Sequence, residues 1–479
     1  MRKSGEQSWA MEEFLGINLG DERLNQRLIK LFESFSESPE SPINQACANW
    51  AETKAAYRFF KNDNVDSQEI METHSEMTAQ RASKYQTILA IQDTSYLIYT
   101  HHPETTGLGK ISLGKGRNVE KIYSHGLVMH SCLAVTTEGL PLGLLDQRIF
   151  ARENLSEKTK RERDTTPIQE KESYRWIESL YNSTMQLKGT QVVTVCDREA
   201  DIYELFQQST ELGASILVRA NHDRTVNKRS MYQEGEIDTL WQLLAKELPA
   251  GAIKVEVPER KGTKHALPRE ARVATVELKF CPYKLNPPKR LSSELSDIDM
   301  YAVYVSEKHP PENIEPIEWM LITNLKVSNF DQAYEKVQWY CLRWRIEMLH
   351  KVLKSGFQVE ECRLSTAERL IRYLTIMSIV ACRLFMITLL ARTDPELPCT
   401  VLLSDTEWKV LYLKTHNTTS MPNNPPNVRD VVVWIARLGG FLARKGDGNP
   451  GSITLWRGWK RLTDLVDGYS LAQIWNICG

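Results

Sequence analysis

The chain has 479 residues, 42% hydrophobic and 25% charged, with 60 Lys and Arg set against 61 Asp and Glu for a formal net charge of −1. That length can bury more than one core, so two or three domains are expected, and the composition is that of an ordinary globular protein. Nine scattered cysteines with no C-x-x-C pair argue against a zinc site or a disulfide framework and for reduced thiols. A near-zero sum of charge decides nothing about nucleic acid, because binding depends on where charge is placed.

Taken in chain order, the first residues show no cationic start followed by an apolar run, so no secretory leader is expected and the cytosol is the expected compartment. Residues 1 to 66 read as helical. Leu24, Leu28, Leu31, Phe32 and Phe35 recur at helical spacing, while Arg23, Arg27 and Lys30 share another stripe that suits either a solvated face or a DNA contact. A second helix runs through AETKAAYRFFKN. An alternating α/β region follows. TILAIQD (87–93) and QVVTVCD (191–197) are short apolar runs, each stopped by an aspartate, and continuous apolar runs suit central strands covered on both faces. Between them, HGLVMHSCLAVTTEGLPLGLLDQRIF reads as two strands around a turn and ESYRWIESLYNSTMQ as a helix. ADIYELFQQS then reads as a helix and SILVRA as a strand. From about 222 to 318, short strands separated by Gly, Pro and basic clusters suggest a β-rich insertion ending at EWMLITN. The rest is mainly helical. Tyr373 to Ala391 is apolar and near spanning length, but Arg383 at its middle is expensive in lipid, so a buried core helix is expected and no membrane.

Several motifs fail on their own chemistry. GKISLGK (109–115) has the spacing of a phosphate-binding loop, yet Gly116 stands where a magnesium-holding Ser or Thr belongs. The segment 107–121 still gathers four glycines with Lys110, Lys115, Arg117 and Lys121; it suits either a grip on a phosphodiester backbone or a surface loop. His125 and His130, five apart in a strand, point to opposite faces and make poor partners for one metal. Glu360 and Glu361 read as a solvated turn. The two strand-end aspartates, Asp93 and Asp197, carry more. A carboxylate ending a buried strand is costly unless paired or metal-bound, and a divalent cation relieves both that cost and the mutual repulsion of two.

The stretch YCLRWRIEMLHKVLK (340–354) is the most informative. Read as one regular helix, Tyr340, Arg343, Glu347, Lys351 and Lys354 fall in a sector about 80° wide. Leu342, Ile346, Leu349 and Leu353 lie opposite. A surface helix with ion pairs accounts for the charges. A metal-binding carboxylate flanked by phosphate-gripping cations also accounts for one acid sharing its face with three bases and a ring.

The spacing Y-x2-R-x3-E-x6-K of Tyr340, Arg343, Glu347 and Lys354 resembles the signature of the insertion-sequence-four family of DDE transposases. CDREAD (196–201) and AIQDT (90–94) resemble the family's other two acidic motifs in the same order. GDERLNQRL and AYRFFKN resemble its N-terminal DNA-binding segment, and IARLGGF and LWRGWKRL its C-terminal part. The middle of the insertion (about 222–300) and residues 395–425 match poorly. The resemblance implies an α/β fold: an RNase H-like catalytic core at 67–372 that includes the β-rich insertion, a helical DNA-end-binding domain at 1–66, and a helical dimerisation region at 373–479. It implies Asp93, Asp197 and Glu347 as a catalytic triad holding Mg2+, with Mn2+ as a substitute. Tyr340, Arg343 and Lys354 would hold phosphates around a flipped nucleotide, with Lys351 beside them. Trp319 matches the ring that stacks on the flipped base, and Arg58 and Arg219 match arginines near the DNA end. The implied activity is cut-and-paste transposition through a hairpin. The implied partners are the terminal inverted repeats, target DNA and a second copy in a synaptic homodimer. The implied location is the bacterial cytoplasm, on the nucleoid when bound to DNA. The alternatives are a catalytically silent DNA-binding regulator and a nuclease that cuts without joining.

Overall fold

The computed structural model describes residues 8–115, 121–152, 162, 166–228, 237–257, 270–288, 295–312 and 314–478. The chain packs as two compact units. One comprises Met1–Lys84, Thr94–Leu155 and Arg345–Gly479; the other comprises Tyr85–Asp93 and Ser156–Trp344. The strand β1 (Thr87–Ile98) passes from the second to the first at Asp93.

In the first unit, the later half of β1 is followed by β2 (Gly109–Lys115), β3 (Lys121–Thr136) and β4 (Pro141–Phe150). β3 pairs antiparallel with both β2 and β4. The segment from Gly109 is therefore a strand, not a loop; Arg117 lies outside the described residues. Gly109 is required there, because a Cβ would stand 2.4 Å from the backbone nitrogen of Arg152. His130 is buried and His125 exposed, on opposite faces as the strand period demands. The helix Glu22–Glu37 is capped by Asp21 and buries Leu28, Leu31, Phe32 and Phe35, the stripe read from sequence. Asn49 caps Trp50–Lys61.

The helix Ala367–Thr393 is long and apolar enough to cross a membrane, but 78% of its most apolar window is buried inside the protein. Its Arg383 lies over the ring of Trp9, 4.1 Å from the centroid, so the one mid-helix charge rests on an aromatic face. The last two helices, Val428–Leu438 and Ser452–Cys478, cross so closely that a Cβ on Gly458 would lie 1.7 Å from the Ile435 carbonyl.

In the second unit, the early half of β1 pairs in parallel with β5 (Gln191–Cys196), and β5 in parallel with β6 (Ser215–Arg219). Ile88, Leu89, Ala90 and Ile91 are all fully buried, as a central strand requires. The helix Tyr203–Leu212 connects β5 to β6 and ends on Gly213, whose φ of +64° is the left-handed cap glycine tolerates. The insertion supplies β7 (Thr225–Lys228), β8 (Ile237–Thr239), β9 (Gly251–Val257), β10 (Arg272–Leu285), β11 (Ile298–Glu307) and β12 (Glu318–Thr323). Beyond β6 the order is β12-β11-β10-β7-β8, with β9 along β10. β10 alternates buried and exposed positions over much of its length, the mark of an antiparallel strand solvated on one face.

Candidate active site

Asp93 and Asp197 are the clearest pair. Ile91 of β1 stands opposite Val195 of β5, and each aspartate lies two residues further on. Both aspartates therefore lie just beyond the last paired position of neighbouring parallel strands, with Asp197 already the cap of the turn that follows β5. Both are half-buried. Asp197 Oδ1 accepts the backbone N–H of Glu199 at 2.9 Å, which turns the chain away from the sheet and holds the carboxylate at the strand end. Asp201, four residues on, is buried and accepts the N–H groups of Asn221 and His222 and the guanidinium of Arg224. It thereby clamps the loop after β6 onto the loop after β5.

Glu347 belongs to the first unit, half-buried on the helix Trp344–Lys351, which buries Ile346 and Leu349. Among the described residues no three His, Cys, Asp or Glu side chains stand close enough together to hold a metal ion. Asp93 and Asp197 follow the paired ends of neighbouring strands, while Glu347 lies on a helix of the first unit. The donor chemistry of two strand-end carboxylates suits a hard divalent cation.

The stretch 340–354 is not one regular helix. Helix Phe330–Leu342 ends, Arg343 makes a turn, and Trp344–Lys351 runs into a π-helical turn, Val352–Gly356. Arg343 keeps right-handed helical dihedrals, so the count of 100° per residue departs mainly at the π turn, and Ile346, Leu349 and Leu353 are buried as expected. The π turn follows from the bond between Phe357 N–H and the Val352 carbonyl at 2.8 Å.

Around Tyr340, in the second unit, the predicted DNA contacts do assemble. The Tyr340 ring is buried, with the Arg343 guanidinium 5.8 Å from its centroid and Arg219 also beside it. Burial pushes that phenol up, and the two arginines oppose the shift. Trp319 meets Tyr340 edge-on, centroids 5.4 Å apart, and is half-buried rather than sealed in a core. Arg219 Nη2 donates to the Glu318 carbonyl at 2.9 Å. Its guanidinium pKa is lowered, first by burial, with the like charges of Arg198 and Arg343 adding and Tyr340 opposing. Sequence reasoning passed over Arg198, although it stands inside CDREAD.

Lys351 is exposed, and Lys354 Nζ donates to the Tyr96 carbonyl at 2.8 Å. Glu360 is not a solvated turn residue: its Oε1 accepts the Ile98 N–H at 2.7 Å and lies 3.6 Å from Lys354 Nζ. In the N-terminal helices Arg58 and Lys30 are exposed and Arg27 half-buried, while Arg23 is tied to Asp21 at 2.7 Å.

Sequence models of three families match the chain. One described as Transposase DNA-binding matches residues 6–65, one described as Transposase DDE domain matches residues 164–383, and one described as Transposase Tn5 dimerisation domain matches residues 379–479. The chain belongs to the Tn5/IS4 family of DDE transposases. The DDE match takes in Asp197 and Glu347, and Asp93 precedes it. With that family the mixed α/β architecture is an RNase H-like core with helical N- and C-terminal regions. Among solved structures the chain is similar to one titled "Cryo-EM structure of piggyBac transposase synaptic complex with hairpin DNA (SNHP)", at 11% identity and a TM-score of 0.33, over 69% of this chain and 52% of that one. The chain thus spans about half the length of that transposase, and a likeness at this level assigns nothing further to a DDE transposase of the Tn5/IS4 family.

Proposed function

We propose that this chain is a cut-and-paste DNA transposase that binds the ends of its element, cleaves them by phosphoryl transfer through a hairpin and joins the 3′-hydroxyls to target DNA. The observation that supports the reading is that Asp93 and Asp197 each follow, by two residues, the last paired position of neighbouring parallel strands, in a chain matched by a DDE domain model over residues 164–383. Residues 1–66 bind the terminal repeats, 67–372 perform the chemistry, and 373–479 pair two copies at a synapse. The expected site of action is the bacterial cytoplasm, on the nucleoid.

Asp93, Asp197 and Glu347 would hold magnesium, or manganese in its place, which would supply Lewis-acid stabilisation of the oxygens exchanged at phosphorus. The remaining side chains bind and orient. Tyr340, with Arg219 and Arg343 beside its ring, supports a backbone phosphate next to the cut. Trp319 offers the ring face on which an extruded base stacks. Lys354 and Lys351 add positive charge along the same strand of DNA, and Arg58, Arg23, Arg27 and Lys30 contact the end at a distance from the chemistry. Nicking, hairpin closure, hairpin opening and joining are all displacements at phosphorus, so one set of residues serves every step.

The test is a gel assay with magnesium and DNA carrying the sequences that flank the element. Wild-type protein is expected to nick, close hairpins and join. Asp93→Ala, Asp197→Ala and Glu347→Ala should each lose nicking while still shifting end DNA, because cationic surfaces supply the affinity. Near-normal nicking by any of the three removes that residue from the triad.

A further inference from the structure

The Lys354 ammonium is held by a built-in frame on β1. Three contacts fasten the segment that carries it to that strand. Lys354 Nζ donates to the Tyr96 carbonyl at 2.8 Å, the Tyr99 hydroxyl donates to the Val359 carbonyl at 3.1 Å, and the Ile98 N–H donates to Glu360 Oε1 at 2.7 Å. Tyr96, Ile98 and Tyr99 follow Asp93 by three, five and six residues on the same stretch of chain. The geometry of the segment serves these contacts. The π turn at Val352–Gly356 adds a residue under Lys354, and Gln358 then takes the left-handed region at φ +52°, which folds Val359 and Glu360 back onto β1. A non-glycine residue in that region costs free energy, and such strain persists where the surroundings hold it. Here Val359 is fully buried and Glu360 is bonded to backbone.

Glu360 fixes more than the turn. Its Oε1, already set by the Ile98 N–H, stands 3.6 Å from Lys354 Nζ, with the lysine side chain 32% and the glutamate 25% exposed. At that distance the carboxylate attracts the ammonium without a short hydrogen bond to it. Of the three N–H bonds of Lys354, one goes to the Tyr96 carbonyl and the others stay able to meet an oxygen arriving from solvent. A lysine is a point charge on a flexible stem, and a fixed anion beside it removes much of that freedom.

We infer that Glu360 is the positioning residue for Lys354: its carboxylate holds the ammonium in the orientation that meets a DNA phosphate during cleavage. This rests on the reading of Lys354 as a phosphate contact given above. Glu360 touches neither DNA nor the reacting atoms; it acts through the lysine.

Glu360→Gln tests the assignment, because the amide oxygen can still accept from Ile98 while the charge is gone. Four proteins are compared on DNA carrying the flanking ends: wild type, Glu360→Gln, Lys354→Ala and the double variant. Single-turnover nicking, the Kd for end DNA and Tm are measured on each. Glu360→Gln is expected to slow nicking on the order of tenfold to a hundredfold, as misplacement of a positioned group does. Its Tm should stay at the wild-type value and its Kd should be unchanged or tighter, since removing an anion beside a phosphate-binding cation cannot weaken attraction. In the Lys354→Ala background the glutamine should cost nothing more. Wild-type nicking by Glu360→Gln overturns the inference. So does a parallel fall in Tm, affinity and rate, or a further loss on top of Lys354→Ala. If wild-type protein nicks no end at all, the transposase reading fails instead.

Discussion

Trp319 stands opposite Val305 on β12 and meets Tyr340 edge-on, half-buried. A tryptophan inside an apolar run such as EWMLIT is ordinarily core, and the burial of the run itself, with Met320, Leu321 and Ile322 sealed, fits that expectation. The ring at the start of the run is the exception. Trp319→Ala should therefore fall short of the ~3–5 kcal/mol that truncating a core tryptophan costs. It should instead remove ~1–3 kcal/mol of base stacking and slow hairpin formation more than first-strand nicking. Tm, nicking and hairpin yield measured on one preparation decide it; a large Tm loss with equal slowing of both steps sinks the stacking role. At this scale the sequence shows residue type and little of environment. The strand-end positions of Asp93 and Asp197 are legible because a carboxylate ending a buried apolar run stands out against its neighbours. Glu360 is not, because its partners, Ile98 and Lys354, are brought to it by folding, and one of them is 262 residues away.

Among the elements, the helices and strands with strong periodicity follow from pattern, while the irregular turns do not. A helical wheel presumes a constant rotation, and the π turn at Val352–Gly356 violates it. No single residue there signals it, since the π turn is stabilised by what Lys354 and Phe357 reach. The contact that joins helix Trp9–Glu13 to helix Ser67–Ala82 is likewise invisible in the sequence. Glu13 is buried, with His74 Nδ1 at 2.5 Å from Oε1 and Arg81 Nη1 at 2.8 Å from Oε2. His74 Nε2 accepts the Leu144 N–H, which leaves the ring proton on Nδ1, facing the carboxylate. Burial would push Glu13 up, but the contacts from His74 and Arg81 outweigh it and hold its pKa at about 2. Burial lowers the pKa of His74, with Arg81 adding to that shift, so the ring stays neutral.

The sign of the pH effect follows. Glu13 has a folded pKa below its unfolded one, so its contribution is complete above about pH 4.5 and lost as pH falls toward 2. A neutral buried His74 adds to the loss from about pH 6.5 downward. Glu13→Gln should be destabilised by ~3–5 kcal/mol at neutral pH, because Arg81 is left without its acid. The gap between wild type and variant should close on acidification below pH 4.5. Urea unfolding of both proteins from pH 7 to 3 checks this, and a gap that does not change with pH refutes it.

For the molecule as a whole, the last helix divides its labour. The first part of Ser452–Cys478 buries Leu455, Trp456 and Leu462 within its own unit. Further along, Tyr469 is 40% and Leu471 67% exposed. A helix that folds its first turns into the unit and leaves apolar side chains bare further on is suited to a second copy, and the stretch lies within the match to the dimerisation family. In a symmetric pair each copy contributes the same leucine, so burial of Leu471 is worth ~2 kcal/mol from each side. Leu471→Asp should remove that and leave two carboxylates facing apolar surface. The variant is expected to migrate as a single copy, to bind one end with wild-type affinity, and to form no paired-end complex at concentrations where wild type does. At concentrations where wild type is also single its Tm should not change, because the side chain is exposed in the single chain. Leu248→Asp is the control: Leu248 is 86% exposed on the other unit, and its substitution should leave pairing intact. Light scattering and native gels on the three proteins read the outcome. If Leu471→Asp still pairs ends at the wild-type concentration, the second copy docks through a different face of residues 379–479.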